Sequence, residues 1–355
     1  MKTPLEISWF CPLCDDDYRQ LGVVAPELRS SYGHCRDILL RAEGQSFDNI
    51  LLPSAYAIGI DNKTFAAALA PQTSKMKMLL AVRCGEMWVP QLARELATID
   101  QMMGGRLTIN IISSDRPGEQ LSSEARYQRT REEMQVLRTL LNGEPVSFRG
   151  EFLQLEVAPP KARLVHGRCP PMYFGGLSDN ARDVAAAESD VFLMWPETLA
   201  GASAILDDMR QRAAAYGRTL RYGYRVHIIV RETEAEARAA ASHLVAALDA
   251  EEGEKIRARS QDSQSFGVQR QASLRDQADN EGYVEDNLWT GIGRARSGCG
   301  AAIVGDPDQV ADKLWQYAQL GFDSFILSGY PHAAECELVG RYVLPRLRER
   351  AATGD

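Results

Sequence analysis

A chain of 355 residues, 45% of them hydrophobic, can bury a large core, and α/β barrels routinely reach this length as one domain. Forty basic against 48 acidic side chains leave a formal charge of −8 with no basic block, which argues against a nucleic-acid or membrane-surface partner. No apolar run approaches ~18 residues, no charged-then-apolar leader opens the chain, and the seven cysteines are scattered, so the sequence reads as a cytoplasmic protein with reduced thiols.

The predicted elements alternate. Glu6 to Phe10 predicts a short strand, ended by Pro12 and a run of aspartates. A helical pattern follows from Ser30 to Gln45, then a strand over Asn49 to Ser54, a helix over Lys63 to Pro71 and a third strand over Met76 to Arg83. Val89 to Gly104 places Leu92, Leu96, Ile99 and Met103 at spacings of three and four, the signature of one buried helical face. The fourth strand spans Leu107 to Ser113, and a long amphipathic helix over Glu124 to Leu141 closes at Asn142 and Gly143.

A small strand pair, Val146 to Phe148 and Phe152 to Leu155, interrupts the alternation. Strands five and six fall at Pro171 to Gly176 and Val191 to Trp195, with helices over Asn180 to Ala187 and Leu199 to Tyr216. The seventh strand, Arg221 to Val230, leads into an alanine-rich helix over Glu234 to Leu248. Glu251 to Glu285 shows little periodic burial and reads as an insertion or mobile segment. A helix over Pro307 to Leu320, the strand Ser324 to Ser328 and a terminal helix over Ala333 to Arg348 complete the chain. Eight strands alternating with helices is the arithmetic of a (β/α)8 TIM barrel, taken as one domain over 1–355 with a mobile insertion at about 251–300. A doubly wound sheet is the runner-up, but no G-x-G-x-x-G follows the first strand.

In a barrel, the C-terminal ends of the strands build the site. Arg225 and His227 lie two apart on strand seven and therefore share a face, where burial of a cation and an imidazole demands partners or a ligand. A satisfied core histidine with a structural ion pair is the plain alternative. Ser54, Arg83, Asn110, Ser113, Ser114, Trp195 and Tyr330 also fall on that rim. Gly175, Gly176 and Ser178 head a helix whose N-terminus can hold a phosphate, although Ser178 is equally an ordinary N-cap; Arg126 and Tyr127 can add a guanidinium and a phenol. Trp289 to Gly300 is rich in glycine and carries Arg294 and Arg296, which reads as a loop able to fold over a ligand, or as a flexible linker. Cys11 and Cys14 have the spacing of a redox or zinc half-site. A zinc site needs more ligands, for which His34 and Cys35 are the only nearby candidate pair, and a thioredoxin-like dithiol would open a helix in a different fold, so no metal is expected.

Leu107 to Asn110, Pro171 to Asp179, Arg225 to Thr233, Asn287 to Gly293 and Asp323 to His332 together resemble the bacterial luciferase-like flavin monooxygenases, and within them the alkanesulfonate monooxygenases. The resemblance runs nearly end to end. It implies a TIM barrel with an insertion before the last strand and a two-component system. A separate NAD(P)H-dependent FMN reductase supplies reduced FMN, O₂ is co-substrate, and a sulfonate is cleaved to aldehyde and sulfite. Carried over by position, the resemblance implies Arg225, His227, Arg296 and Tyr330 as the catalytic set and Trp195 and Ile58 in the substrate pocket. It implies Ser54, Asn110, Glu119, Arg126, Tyr127, Gly176 and Ser178 for FMN, with a homodimer or homotetramer as the assembly.

Three departures leave the substrate open. Ile58 stands where alkanesulfonate enzymes carry a cysteine, the loop from Ser113 to Arg126 is shorter, and the loop from Cys11 to Arg29 lacks the usual residues. The alternatives are the same oxygenase chemistry on a pyrimidine-type amide or natural-product intermediate, and a non-catalytic flavin-binding barrel.

Overall fold

The structure is a computed structural model that describes residues 4–56, 59–114, 116, 118–257, 265–296 and 298–354. Its first half follows the predicted order: β1 (Glu6–Phe10), α1 (Tyr32–Gly44), β2 (Asn49–Leu52), α2 (Asn62–Leu69), β3 (Lys77–Arg83), α3 (Val89–Met102), β4 (Leu107–Ile112) and α4 (Ser123–Leu141). A hairpin of β5 (Val146–Arg149) and β6 (Gln154–Val157) precedes β7 (Met172–Phe174), α5 (Asp179–Glu188), β8 (Val191–Met194), α6 (Leu199–Ala215), β9 (Arg221–Val230) and α7 (Glu234–Leu244). Then come α8 (Ala250–Arg257), α9 (Phe266–Asp276), β10 (Tyr283–Glu285), β11 (Leu288–Trp289), β12 (Ala302–Gly305), α10 (Pro307–Leu320), β13 (Ser324–Ser328), α11 (His332–Tyr342) and α12 (Leu344–Thr353).

Eight parallel strands close the barrel in the order β1-β2-β3-β4-β7-β8-β9-β13 and back to β1. These are the eight strands counted in the sequence. Odd-numbered residues of β1 (Ile7, Trp9) pack outward with the helices in a hydrophobic layer that runs from Ile7 to Leu347. Even-numbered ones (Glu6, Phe10) point inward, where Phe10, Leu51, Leu79, Tyr173, Val191 and Ile326 plug the barrel's middle. Below that plug lies a polar floor. Glu6 binds Lys77 at 2.8 Å and also contacts the Tyr173 hydroxyl, while Arg221 pairs with Asp323 at 3.1 Å. Burial opposes the Glu6 charge, but Lys77 and the Tyr173 hydroxyl outweigh it and hold the carboxyl below its usual range.

β9 outruns the barrel. Its first residues, Arg221 to Tyr224, pair with β8, and His227 to Val230 pair on that same edge with β12, while β13 lines the other edge over Gly223 to His227. The strand therefore changes partner at Arg225 and Val226, directly below the rim.

Three expectations need correction. Ala302 to Gly305 forms a strand that closes against β9 and was not foreseen, although its short apolar run ends at Asp306, which caps α10 with a capping box. The segment read as aperiodic holds two helices. α9 escaped because it buries Gln271 and Leu274 rather than an apolar stripe, so its docking is written in hydrogen bonds. The terminal helix is two helices, α11 and α12, because Pro345 has no N–H to continue the ladder to Arg341 and serves instead in the first turn of α12.

Candidate active site

At the C-terminal mouth, Arg225, His227, Arg296 and Tyr330 meet. Register places Ser328 of β13 beside His227, so the two side chains share the inner face; the Ser328 Oγ lies 3.0 Å from His227 Nδ1 and accepts from Arg225 at 3.3 Å. Arg296, from the glycine-rich loop, donates to the Tyr330 hydroxyl at 2.8 Å and stands 3.5 Å from His227 Nε2. The His227 and Tyr330 rings are 5.0 Å apart. Since a guanidinium only donates, Nε2 is the accepting nitrogen and Nδ1 carries the proton toward Ser328, an assignment that follows from the network.

The electrostatics are one-sided. Burial, reinforced by Arg296 and Arg225, pushes His227 well below the usual histidine range, so the imidazole is neutral near pH 7. Burial also lowers Arg225, whose guanidinium lies 4.2 Å over the Phe10 ring and makes no ion pair among the described residues. Burial works against the charge of Arg296 too, yet Asp16 outweighs it and raises its pKa. The Tyr330 phenol is pushed up by burial and by Asp16, so it stays protonated. The neighbouring thiols are inert: burial, aided by Asp16, lifts Cys14 to about 12, and burial raises Cys299, whose thiol sits 3.5 Å from the Arg225 carbonyl.

Asp16 is the residue the sequence reading missed. It forms an ion pair with Arg296 and accepts the Tyr330 hydroxyl at 2.8 Å. The signal was the aspartate run, but a run does not say which member turns inward. The backbone decides: Asp15 takes a left-handed φ of 57° and binds the Ser30 amide at 2.9 Å. Asp17 then binds the His332 amide at 2.9 Å and His34 at 2.8 Å, which leaves Asp16 facing the mouth.

Trp195, half-buried just past β8, was nominated for the substrate pocket. Its ring is flanked by two backbones: a Cβ built on Gly267 of α9 or on Gly298 of the loop would each sit 3.1 Å from the indole. The same helix staples the loop to the strand end. Arg270 makes a two-point ion pair with buried Glu197, Gln271 donates to the Pro196 carbonyl at 2.7 Å and accepts from the Gly300 amide at 3.2 Å. The other substrate nominee, Ile58, lies outside the described residues.

The remaining nominees fall into two groups. Asn110, on the inner face of β4, is half-buried and its amide has no partner among the described residues; Ser54 is half-buried at the end of β2, its carbonyl taken by Arg83 at 3.1 Å. Tyr127, Gly176 and Ser178 come together at the start of α5. A Cβ at Gly175 would overlap the Leu193 carbonyl at 1.9 Å, and one at Gly176 would meet Ala181 at 2.6 Å and the Tyr127 hydroxyl at 3.4 Å. Ser178 caps the helix through the Ala181 amide, and Tyr127 and Asn180 line a pocket of about 530 Å³. Arg126 lies 5.3 Å from the centre of the Tyr127 ring. Glu119 stands elsewhere: its carboxylate is held by Arg116 and by Arg129 at 2.7 Å, which takes its pKa down to about 2.

These contacts suit a flavin. The half-buried Asn110 amide lies on the inner face of β4, a half-buried tryptophan stands at the end of β8, and a helix N-terminus with an adjacent phenol offers donors to a phosphate. Residues 5–324 match the family model described as luciferase-like monooxygenase. The chain belongs to the luciferase-like monooxygenases. It is similar to a protein named sulfoquinovose monooxygenase from Novosphingobium aromaticivorans, 58% identical over 349 residues covering 96% of each chain. A second protein of that name, from Agrobacterium fabrum, is 50% identical over 97% of this chain and 90% of its own. The fold is also that of EDTA monooxygenase from Chelativorans sp. BNC1 (TM-score 0.79, 18% identity, covering 98% and 94%). A riboflavin lyase solved with modified FMN and riboflavin superposes with a TM-score of 0.81 at 16% identity, over 98% of this chain and 92% of the other. The luciferase-like monooxygenase described here is thus a flavin-dependent enzyme. Among its described residues no helix is long and apolar enough to cross a membrane, and no group of three metal-ligating side chains occurs.

Proposed function

We propose that this enzyme is the oxygenase of a two-component system that cleaves the carbon–sulfur bond of a sulfonated hexose, sulfoquinovose. Reduced FMN comes from a separate NAD(P)H-dependent reductase. The observation that carries the reading is the charge at the mouth: among the described residues, the buried guanidinium of Arg225 and the partly buried one of Arg296 face one carboxylate, Asp16, and a neutral His227. The surplus of one positive charge, largely withdrawn from bulk water, is costly without an anion in place. A sulfonate carries one negative charge and three acceptor oxygens, which suits two guanidiniums. The end-to-end likeness to sulfoquinovose monooxygenases moves the expected substrate from a simple alkanesulfonate to a sulfonated sugar, and the departures at Ile58 and in the loops after β1 and β4 accord with that change.

Reduced FMN, when bound, supplies two electrons and activates O₂. One oxygen atom ends as the aldehyde oxygen at C6 of the sugar, the other as water, and sulfur departs as sulfite with the C–S bonding pair. Within that reaction Arg225 and Arg296 hold the sulfonate and stabilise the negative charge that grows on the leaving group. Neutral His227 accepts a proton at Nε2, the nitrogen Arg296 approaches, and the Tyr330 hydroxyl orients Arg296. The Arg296 loop, stapled by Gln271, keeps bulk water away. Trp195 gives the sugar ring an aromatic wall. Asn110 and Ser54 would border the flavin ring, and Tyr127, Gly176, Ser178 and Arg126 would hold its phosphate. Glu119, already held by two arginines, braces the loop after β4 rather than touching FMN.

The test is sulfite release in air by the purified enzyme with a generic flavin reductase, NADH and FMN, comparing sulfoquinovose with ethane- and butanesulfonate. Sulfite from the sugar, in at least ~10-fold excess over the alkanes, is the expected result; none from the sugar contradicts the substrate.

A further inference from the structure

The surplus charge at the mouth raises a problem of selection. Two guanidiniums are better suited to phosphate than to sulfonate, because a phosphate ester carries about −1.5 to −2 charge near pH 7 and Arg forks bind it bidentately. A hexose 6-phosphate has the same sugar ring and a tetrahedral head with three terminal oxygens. Shape alone gives the site little with which to refuse it.

Asp16 supplies what shape does not. Its side chain is only 13% exposed, and its two oxygens face the two donors that define the anion pocket: Oδ2 pairs with Arg296 and Oδ1 takes the Tyr330 hydroxyl at 2.8 Å. It is fixed by more than those contacts, since its own carbonyl lies 3.0 Å from His332 Nε2 and both flanking aspartates are tied down, Asp15 to Ser30 and Asp17 to His34. The carboxylate cannot swing out to make room for a second negative charge. A headgroup that reaches Arg296 must share it with Asp16.

We infer that Asp16 sets the charge this site accepts: a singly charged sulfonate balances the two arginines and Asp16, whereas a doubly charged phosphate on the same sugar is turned away. The inference rests on the proposed substrate reading. It is specificity by repulsion, achieved by placing a like charge where the wrong ligand would need a cation. At close range in a partly buried site, one extra pair of like charges is enough for at least ~10-fold discrimination. Arg225 takes the sulfonate from the other side, with Ser328 as its only hydrogen-bonded side chain among the described residues.

The experiment uses the enzyme loaded anaerobically with reduced FMN, so that ligands bind without turnover. Calorimetric titration compares sulfoquinovose with glucose 6-phosphate, and methanesulfonate with methyl phosphate, in wild type, Asp16→Asn and Asp16→Glu. Wild type is expected to prefer the sulfonate of each pair by at least ~10-fold, Asp16→Asn to lose that preference, and Asp16→Glu to keep it even where both affinities fall. A merely structural role would weaken both ligands in step and leave the ratio unmoved in Asp16→Asn; that result overturns the inference. Discrimination between the two small headgroups that disappears in Asp16→Asn, with no binding of sulfoquinovose, would uphold the charge selection and overturn the sugar reading instead. Equal binding of sulfonate and phosphate by wild type would overturn the charge selection whatever the sugar result.

Discussion

The two ends of this barrel bury ionised groups in opposite ways. At the floor, Glu6 and Asp323 meet Lys77 and Arg221, so the charges cancel and each has a partner within 3.1 Å. At the mouth, Asp16 pairs with Arg296, while Arg225 makes no ion pair among the described residues and has a serine and a phenyl ring where an acid would be expected. A cancelled cluster fixes the closure of the strands. An uncancelled one costs stability and persists only where a ligand or a reaction uses it. The contrast sets the mouth apart from the floor without reference to any relative.

Breaking the mouth should remove activity and spare the fold. Arg296→Ala and His227→Ala are each expected to lower kcat/KM for sulfite release at least ~100-fold, the scale of losing a charge-stabilising or proton-accepting group, with melting temperatures near wild type. Arg225→Met sharpens the comparison. It removes a buried cation that has no acid partner among the described residues, so thermal unfolding should show unchanged or raised stability, while sulfonate binding weakens at least ~10-fold. A large loss of stability in Arg225→Met would mean that the mouth is a structural cluster like the floor.

Breaking the floor should do the reverse. Lys77→Met leaves Glu6 buried without its cation. Because Lys77 is 46% exposed, we expect a loss of about 1–2 kcal/mol in denaturant unfolding, below the value for a fully buried pair, with turnover per folded molecule unchanged.

The smallest effect is on pH. The fold lowers the pKa of His227, so the unfolded chain binds more protons; its contribution is fully present above the unfolded value of about 6.5 and is lost as pH falls toward the folded one. Stability should therefore decline below pH ~6.5, and His227→Gln should flatten part of that slope. His332, also lowered by burial, contributes in the same direction.

Much of this architecture was legible. The barrel strands carry near-continuous apolar runs, and the two-residue spacing of Arg225 and His227 put both on one inner face. What escaped was held by polar contacts rather than by apolar period. α9 docks through Arg270 and Gln271, and Asp16 faces the mouth only because Asp15 adopts a left-handed backbone. Tertiary hydrogen bonds of this kind leave no repeat in the sequence. The long β9, by contrast, was visible, but not that its upper half would find β12 as a second partner.

The central claim is that the mouth is completed by one singly charged anion, and a crystal structure of the anaerobic enzyme with reduced FMN and sulfoquinovose tests it most directly. The account predicts the sulfonate between Arg225 and Arg296, hydrogen-bonded to both guanidiniums, with Asp16 still on Arg296. A sulfonate bound elsewhere, with Arg225 still confined to Ser328, would contradict it.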